Sequence, residues 1–341
     1  MFGYRRSLAP ACLASAALVL AVPAHAAPPL LSAEWQFDAA DVAPALSLSP
    51  GSPSVAVGTI DSGAADVPDL AGKVDSRWTV SAKGGVIRND RGIDNIGHGT
   101  AVASLIAANG FGMVGFGGAT HVVAMRVPVM TGVAVAAALL KLDALGVRIV
   151  NMSFGSPAPE KPVVLAAIRK AQADGMLLVA AAGNESSTVS HPAADLGPAG
   201  IAVGASDPDG KLAFFSNSGD SLSLLAPGAD RGPCSGVLVA APANNEFVGD
   251  CYPAWVGAGG AAYAFVAGTS FAAPEVAGVA ALVWAARPDL TNAQVAATIE
   301  QSAHRSAPGW TPTLGCGVLD AGAALELALR GSAPAGGTRC G

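Results

Sequence analysis

Residues 54–63 read SVAVGTIDSG, a β-branched and apolar run that ends in a polar turn. Such a run predicts a buried strand over 54–60, with Asp61 directly after it. Comparable apolar runs lie at 121–127, 147–152 and 176–181, and segments with helical patterns separate them. Because these strands are continuously apolar, they predict a parallel sheet covered on both faces. We therefore expect an α/β fold, a three-layer doubly wound sandwich with a mostly parallel central sheet.

The composition supports a large core and excludes one class of partner. Of 341 residues, 51% are hydrophobic and 13% are charged. The formal net charge is −6, and the sequence contains no cluster of Lys and Arg. Nucleic-acid-binding proteins usually present a basic face, so no nucleic-acid partner is expected.

Residues 1–26 have the pattern of a secretion signal. Arg5 and Arg6 precede an apolar run over 11–22, and Ala24-His25-Ala26 supplies small residues at the cleavage site. The run is shorter than the roughly 20 residues that span a bilayer. We predict cleavage after residue 26, export to a periplasm or the extracellular space, and no stable membrane anchor. The paired arginines are compatible with a twin-arginine route, but two arginines do not establish it.

Five cysteines are present, and Cys12 lies in the predicted signal. The other four suit an oxidising compartment and allow three pairings. The simplest choice joins sequence neighbours, Cys234 with Cys251 and Cys316 with Cys340. No cysteine spacing favours a structural metal site, so no metal ligands are predicted.

Three polar residues lie where a parallel sheet binds its ligands, beyond the carboxyl ends of strands or at helix starts. Asp61 follows the first strand, His98 precedes an apolar helix, and Ser270 lies in GTSFAAP at 268–274. Taken singly, each has a common structural role, as a turn Asp, a helix-start His or an N-cap Ser. Together they supply the base and the orienting acid that a weak serine nucleophile needs. A helix over 275–286 with Pro274 in its first turn would place Ser270 at the positive helix end.

Asn184 follows the strand over 176–181 in the segment AAAGNE. An Asn after a strand is commonly a turn residue. A side-chain amide at this position could instead stabilise the oxyanion of a tetrahedral intermediate.

The motifs resemble those of the subtilisin-like serine proteases, or subtilases. The matching blocks, in order, are IDSG at 60–63, GHGTAVA at 97–103, VNMSFG at 150–155, Gly183-Asn184, AVGA at 202–205, FSN at 215–217, APG at 226–228 and GTSFAAP at 268–274. The resemblance covers roughly residues 35–328, nearly all of the chain beyond the signal.

The resemblance implies a role for each polar residue. Asp61 would orient the histidine, His98 would be general base and acid, Ser270 the nucleophile, and Asn184 a donor in the oxyanion hole. It also implies an exported serine endopeptidase that acts on protein or peptide substrates as a monomer. The catalytic domain would occupy 27–330, followed by a short C-terminal tail at 331–341.

The resemblance further assigns two walls that hold the substrate and flank the main specificity pocket. One wall is Ser153, Phe154 and Gly155, and the other is Ala181, Ala182 and Gly183. Because the walls carry no charge, an apolar or mixed preference is expected. Phe154, Phe271 and Glu275 stand where relatives often have Leu, Met and His, and none of these is a catalytic position.

Other family features are less evident in this sequence. No ordinary propeptide is recognisable between residue 26 and Asp61. The chemistry requires no cofactor, although many relatives bind structural calcium, and no ligands are assigned. Five loop acids could contribute ligands, but we expect them to be solvated at the surface: Asp66, Asp69, Asp75, Asp90 and Asp94. The segment between Pro227 and Gly268, which carries Cys234 and Cys251, is expected to form a surface loop.

Three alternatives compete with an exported general endopeptidase. A catalytically silent subtilase fold would have been free to lose any of the four chemical groups, yet all are present. An esterase of the α/β-hydrolase type would have a Gly-x-Ser-x-Gly block and the order Ser, Asp, His, neither of which occurs here. A dedicated processing or peptide-ligating protease remains open on sequence alone.

Overall fold

The computed structural model describes residues 30–229, 236–242, 255–256, 262–305, 309–331, 335–336 and 340. Its main sheet has eight strands in the order β3-β2-β4-β1-β5-β6-β7-β8. The strands are β1 Val57–Asp61, β2 Val74–Val80, β3 Val86–Arg88, β4 Val122–Arg126, β5 Ile149–Met152, β6 Leu177–Ala181, β7 Gly200–Ser206 and β8 Leu224–Pro227. Only β3 pairs antiparallel, so the mostly parallel sheet is confirmed.

Helices cover both faces of this sheet, which confirms the three-layer α/β architecture. The helices are α1 Trp35–Ala39, α2 Val42–Leu48, α3 His98–Ala107, α4 Gly132–Ala144, α5 Pro162–Ala173, α6 Thr269–Ala286, α7 Asn292–Ser302 and α8 Ala321–Leu329. One apolar core packs beneath α3, α6, α7 and α8, and a second packs beneath α4 and α5. The two cores correspond to the two faces of the sheet.

The helix α6 runs through the first core and is apolar around most of its circumference. Its residues from Phe271 to Trp284 are all buried, as expected for a helix that packs on several sides. Among the described residues it is also long and apolar enough to cross a membrane, but 83% of it is buried inside the protein. Its apolar character therefore matches its position as a core helix.

The start of α6 differs from the prediction, and so does the position of Pro274. The helix begins at Thr269 rather than at 275, and Pro274 lies inside it rather than in its first turn. Proline has no N–H to donate to the carbonyl four residues earlier, which is that of Ser270. The Ser153 hydroxyl donates to this carbonyl instead, at 2.7 Å. A side chain thus replaces the missing helical hydrogen bond.

A second, antiparallel sheet lies between residues 237 and 266, where a surface loop was expected. Its order is β10-β11-β9, with β9 Val237–Ala241, β10 Trp255–Val256 and β11 Ala262–Val266. All five residues of β9 are buried. Gln36 bonds the edge of β9 like a neighbouring strand, because its side-chain amide donates to Leu238 O at 3.1 Å and accepts from Leu238 N at 3.3 Å. The expectation of a surface loop was wrong for β9.

One predicted cysteine pair is confirmed. A disulfide joins Cys316 to Cys340, across a sequence separation of 24. Cys234 and Cys251 lie outside the described residues, as does the predicted signal at 1–26.

Candidate active site

The candidate site lies at the carboxyl ends of the central strands, where the topology predicts ligand binding. Asp61 is the last residue of β1, not the residue after it. His98 is the first residue of α3, and Ser270 is the second residue of α6. Asn184 follows β6 by three residues. The rings of His98 and Phe271 lie 5.4 Å apart, so the N-terminal ends of α3 and α6 meet beside β1.

Asp61 and His98 form a hydrogen bond that orients the imidazole. His98 Nδ1 lies 2.8 Å from Asp61 Oδ1. The same oxygen accepts the backbone N–H of Ser62 at 2.7 Å. Asp61 is 4% exposed, so its carboxylate is held largely away from water. A buried carboxylate at Nδ1 fixes the tautomer that leaves Nε2 as the proton acceptor.

The pKa of His98 is raised above its ordinary value. Burial by itself would lower it, because burial disfavours the charged imidazolium. The charge and the hydrogen bond of Asp61 oppose this effect, and the charge of Asp94 adds to them. The site therefore stabilises the protonated imidazolium that forms when His98 accepts a proton.

Asp94 was expected at the surface, but it is 5% exposed and caps the helix that begins at His98. Its Oδ1 accepts the N–H of Gly97 at 2.9 Å, and its Oδ2 accepts the N–H of Thr100 at 2.8 Å. The Thr100 hydroxyl donates to Oδ2 at 2.6 Å. Asp94 thus both fixes the start of α3 and places a negative charge near His98.

Ser270 and Ser153 hold each other through two hydrogen bonds. The Ser153 hydroxyl donates to Ser270 O at 2.7 Å, and the Ser270 hydroxyl donates to Ser153 O at 3.1 Å. The side chain of Asn151 donates to the Ser153 hydroxyl at 2.8 Å. These contacts fix the start of α6 against the loop after β5.

The amide of Asn184 is oriented by Thr269. Asn184 Oδ1 accepts the Thr269 N–H at 2.9 Å and its hydroxyl at 3.0 Å. Because the Thr269 N–H can only donate, the accepting atom is the amide oxygen, and the NH₂ group is left for another partner. A Cβ atom added at Gly268 would lie 3.6 Å from Asn184 Nδ2, so the NH₂ group faces the segment before Ser270. This arrangement suits a donor to an oxyanion.

The two predicted wall segments follow adjacent strands and are tied together. Ser153 follows β5 and Ala182 follows β6, and these strands pair in parallel. Behind the second wall, Asn217 donates to Ala182 O at 3.1 Å. Ser190 lies against both walls, since a Cβ atom added at Gly155 would lie 3.0 Å from Ser190 Cβ and the Ser190 N–H donates to Ala182 O at 2.7 Å. The described wall residues carry no charged side chain.

The described residues show no cluster of the side chains that commonly bind metal ions. They contain no group of three or more His, Cys, Asp or Glu side chains that could hold a metal ion. Asp69, expected at the surface, is fully buried. Its Oδ1 accepts the N–H groups of Gly112 and Met113 at 2.8 and 3.0 Å, and its Oδ2 accepts the Tyr263 hydroxyl at 2.7 Å. Since donors already occupy both oxygens, this carboxylate does not fit the role of a calcium ligand.

The family of this chain follows from its similarity to known proteins. The model of the subtilase family matches residues 52–317. The chain belongs to the subtilase family. It is 32% identical over 240 residues to subtilisin BL of Lederbergia lenta, across 68% of this chain and 79% of the relative. It is also 32% identical over 279 residues to the thermostable alkaline protease of Halalkalibacterium halodurans, across 79% of this chain and 67% of the relative.

Solved structures show the same fold. A protease from Pseudoalteromonas arctica PAMC 21717 superposes with a TM-score of 0.76 at 24% identity, over 88% of this chain and 98% of that chain. The MycP3 protease from the type VII (ESX-3) secretion system superposes with a TM-score of 0.69 at 25% identity, over 89% of this chain and 90% of that chain. By its family, this subtilase is a serine endopeptidase that requires no cofactor for catalysis.

Sequence reasoning assigned no supporting role to three residues that hold the predicted site of this subtilase in place. Asp94 accepts a hydrogen bond from the backbone N–H of Gly97, the neighbour of His98. The N–H of Thr269 donates to the side-chain amide of Asn184, and the side chain of Asn217 donates to the carbonyl of Ala182. Of these, Thr269 could have been identified from the sequence, because it directly precedes Ser270 in the motif GTSFAAP. Asn217 lies 35 residues from the carbonyl that it contacts, and no local pattern connects the two.

Proposed function

We propose that this subtilase is an exported endopeptidase that cleaves peptide bonds through an acyl-enzyme at Ser270. The observation that carries the proposal is the 2.8 Å hydrogen bond between His98 Nδ1 and the buried carboxylate of Asp61. A histidine oriented in this way is suited to take a proton at Nε2 and to hold the resulting charge.

In the first half-reaction, the Ser270 hydroxyl turns from the Ser153 carbonyl toward His98. Its oxygen attacks the carbonyl carbon of the scissile bond while His98 Nε2 takes the proton. The C–N bond then breaks, and His98 returns the proton to the departing amine. Water repeats the sequence on the acyl-enzyme, which releases the carboxylic acid and restores the serine.

Two donors stabilise the oxyanion of each tetrahedral intermediate. One is the backbone N–H of Ser270, which lies in the first turn of α6, where N–H groups have no partner within the helix. The other is the NH₂ group of Asn184, fixed by Thr269. Donors that are oriented before the reaction need no reorganisation when charge develops, which makes them effective.

The substrate binds in an extended form between the two uncharged walls, Ser153–Gly155 and Ala181–Gly183. A cavity of about 530 Å³ continues from Phe154 and Gly155 and is also lined by Val135 and His191. We propose that it receives a substrate side chain on the acyl side of the scissile bond. Glu160 and Lys161 also line this cavity beside its apolar residues, so we expect it to accept apolar or mixed side chains.

The cellular setting is part of the same proposal. The signal-like pattern at 1–26 supports export to a periplasm or the extracellular space. The buried disulfide between Cys316 and Cys340 suits an oxidising compartment. We propose that the mature protein acts as a monomer on protein or peptide substrates, without a stable membrane anchor.

Labelling with a fluorescent fluorophosphonate probe tests the nucleophile, with casein digestion measured in parallel. We expect the mature wild type to label and digest, and Ser270→Ala to lose both while keeping the same melting temperature. Ser47→Ala, an exposed serine on α2, is the matched control and should behave as the wild type. Labelling retained in Ser270→Ala would refute the assignment of the nucleophile. A folded wild type that neither labels nor digests would favour a silent, binding-only subtilase.

A further inference from the structure

The cavity of about 530 Å³ that continues from the first wall has an apolar part and a charged part. Val135 and Phe154 belong to the apolar part. Glu160, Lys161 and His191 supply the ionisable groups of the lining. A side chain that is apolar throughout would therefore match only part of this cavity.

The charged part is connected to the substrate wall through the backbone. Ser156, which directly follows the wall, and His191 exchange backbone hydrogen bonds in both directions, each of 2.9 Å. The imidazole is also fixed, because His191 Nδ1 lies 2.7 Å from Asp195 Oδ2. When a carboxylate accepts from Nδ1, the Nε2 atom of a neutral imidazole can only accept a hydrogen bond. His191 thus adds an acceptor to the lining rather than a positive charge.

Glu160 brings a negative charge that its surroundings do not balance. Burial, the largest cause, raises its pKa, and the charge of Asp195 raises it further. The backbone N–H of Lys161 and the charges of His191 and Lys161 oppose this rise, and the charge of Lys161 has the smallest effect. Lys161 is exposed, so water and salt screen its charge. No ion pair of Glu160 occurs among the described residues. A half-buried carboxylate without a cationic partner in that part of the chain therefore lies at this cavity.

A partly desolvated carboxylate is stabilised most by a ligand that brings a positive charge together with N–H donors. We propose that the cavity selects a lysine or arginine side chain on the acyl side of the scissile bond, and that Glu160 is the residue that determines this preference. The inference rests on the substrate-binding role proposed above for the cavity. The apolar stem of such a side chain packs against Val135 and Phe154, while its cationic head binds Glu160 and the free acceptor of His191.

Fluorogenic peptides that differ at one residue test the preference. Lysine, norleucine and glutamate are placed in turn at each position before the scissile bond, since norleucine keeps an apolar stem and lacks the ammonium group. We expect one position at which kcat/KM is about 3- to 10-fold higher for lysine than for norleucine and lowest for glutamate. Glu160→Gln should abolish the preference for lysine, and Glu160→Lys should reverse it in favour of glutamate. Glu326→Gln, which neutralises an exposed acid on α8, is the matched control and should keep it.

The ratio of kcat/KM for lysine to that for norleucine cancels the ionisation of His98, which both substrates share. Because acid protonates both Glu160 and His191, this ratio should fall as the pH is lowered. Binding of the same peptides to the Ser270→Ala protein, measured by fluorescence anisotropy, should show the same preference without catalysis. A wild type that binds with this preference but cleaves nothing would overturn the proposed function and support the cavity assignment. Equal binding and cleavage of lysine and norleucine peptides at every position, or a preference for lysine that survives in Glu160→Gln, would overturn the assignment itself.

Discussion

Ser153 and Ser270 exchange hydrogen bonds in both directions, with each hydroxyl donating to the other residue's carbonyl, at 2.7 and 3.1 Å. Pro274 cannot donate to Ser270 O, so this carbonyl is left for the Ser153 hydroxyl. A defect in the helical ladder thus creates an acceptor, and the loop after β5 supplies the donor. The nucleophile and the adjacent substrate wall are thereby fixed relative to each other.

We predict that Ser153→Ala lowers the free energy of unfolding by about 1–2 kcal/mol, because Ser270 O loses its donor. Adding Pro274→Ala should recover part of this loss, since the new N–H can bond Ser270 O within the helix. Denaturant unfolding of both single variants and the double variant, all in the Ser270→Ala background, measures the coupling. Strictly additive effects would mean that the Ser153 hydroxyl does not replace the missing helical bond.

Thr269 is predicted to be a positioning residue for the oxyanion donor. Thr269→Val removes the hydroxyl that donates to Asn184 Oδ1 and accepts the Gly183 N–H at 3.1 Å. We expect kcat to fall about 10- to 100-fold with little change in KM, because the amide loses its orientation toward the developing charge. Thr269→Ser should restore most of the activity. A change confined to KM, or no rescue by serine, would contradict this role.

The sequence was sufficient to predict the parallel sheet and the edge at which the four candidate residues lie, because both signals are local. Continuous apolar runs identify parallel strands, and the topology brings the residues after these strands to one edge of the sheet. Asp61, His98, Asn184 and Ser270 all lie at that edge, within short motifs.

Long-range partners were not predictable from the sequence. Gln36 bonds Leu238 across 202 positions, and Tyr263 bonds Asp69 across 194. The sequence alone does not show which groups donate hydrogen bonds to a loop Asp such as Asp69. Because Asp is rarely buried without such partners, its burial is not expected from the sequence. The predicted start of α6 was wrong because proline normally lies in the first turn of a helix. Here Pro274 lies inside the helix, and the distant Ser153 replaces the hydrogen bond that proline cannot donate.

The pH dependence of catalysis should depend on Asp94. Its charge contributes to the raised pKa of His98, so Asp94→Asn should lower that pKa. Because the base must be neutral to accept a proton, the acid limb of the kcat/KM profile should then move to lower pH. The control is Asp90→Asn, which makes the same charge change at an exposed residue paired with Arg88. A similar shift in both variants would indicate a general charge effect.

The disulfide between Cys316 and Cys340 should stabilise the fold. Cys340→Ala opens a loop with a sequence separation of 24 and should cost about 2–4 kcal/mol of unfolding free energy. Thermal unfolding in the Ser270→Ala background would detect the loss. The single variant is more informative than reduction, because reduction would also affect the other cysteines. An unchanged melting temperature would show that the bond contributes nothing to stability.

Glu34 should make the folded protein less stable as the pH rises. Its side chain is fully buried, and burial raises its pKa to about 8 from an ordinary 4.5. The backbone N–H of Val114 opposes this shift, and the charges of Asp69 and Asp38 add to it. Between pH 4.5 and 8 the unfolded chain has lost this proton and the folded protein still holds it, so stability falls with pH throughout that range and not above it.

We expect Glu34 to contribute roughly 3–5 kcal/mol to this loss, at about 1.4 kcal/mol per pKa unit. Glu34→Gln keeps an oxygen for the Val114 N–H and cannot ionise. In the Ser270→Ala background, this variant should match the protein that retains Glu34 near pH 4.5 and exceed it in unfolding free energy at about pH 9. Glu326→Gln, an exposed acid paired with Arg330, is the control and should leave the pH dependence unchanged. Parallel stability curves with and without the Glu34→Gln substitution would show that Glu34 ionises similarly in the folded and unfolded states.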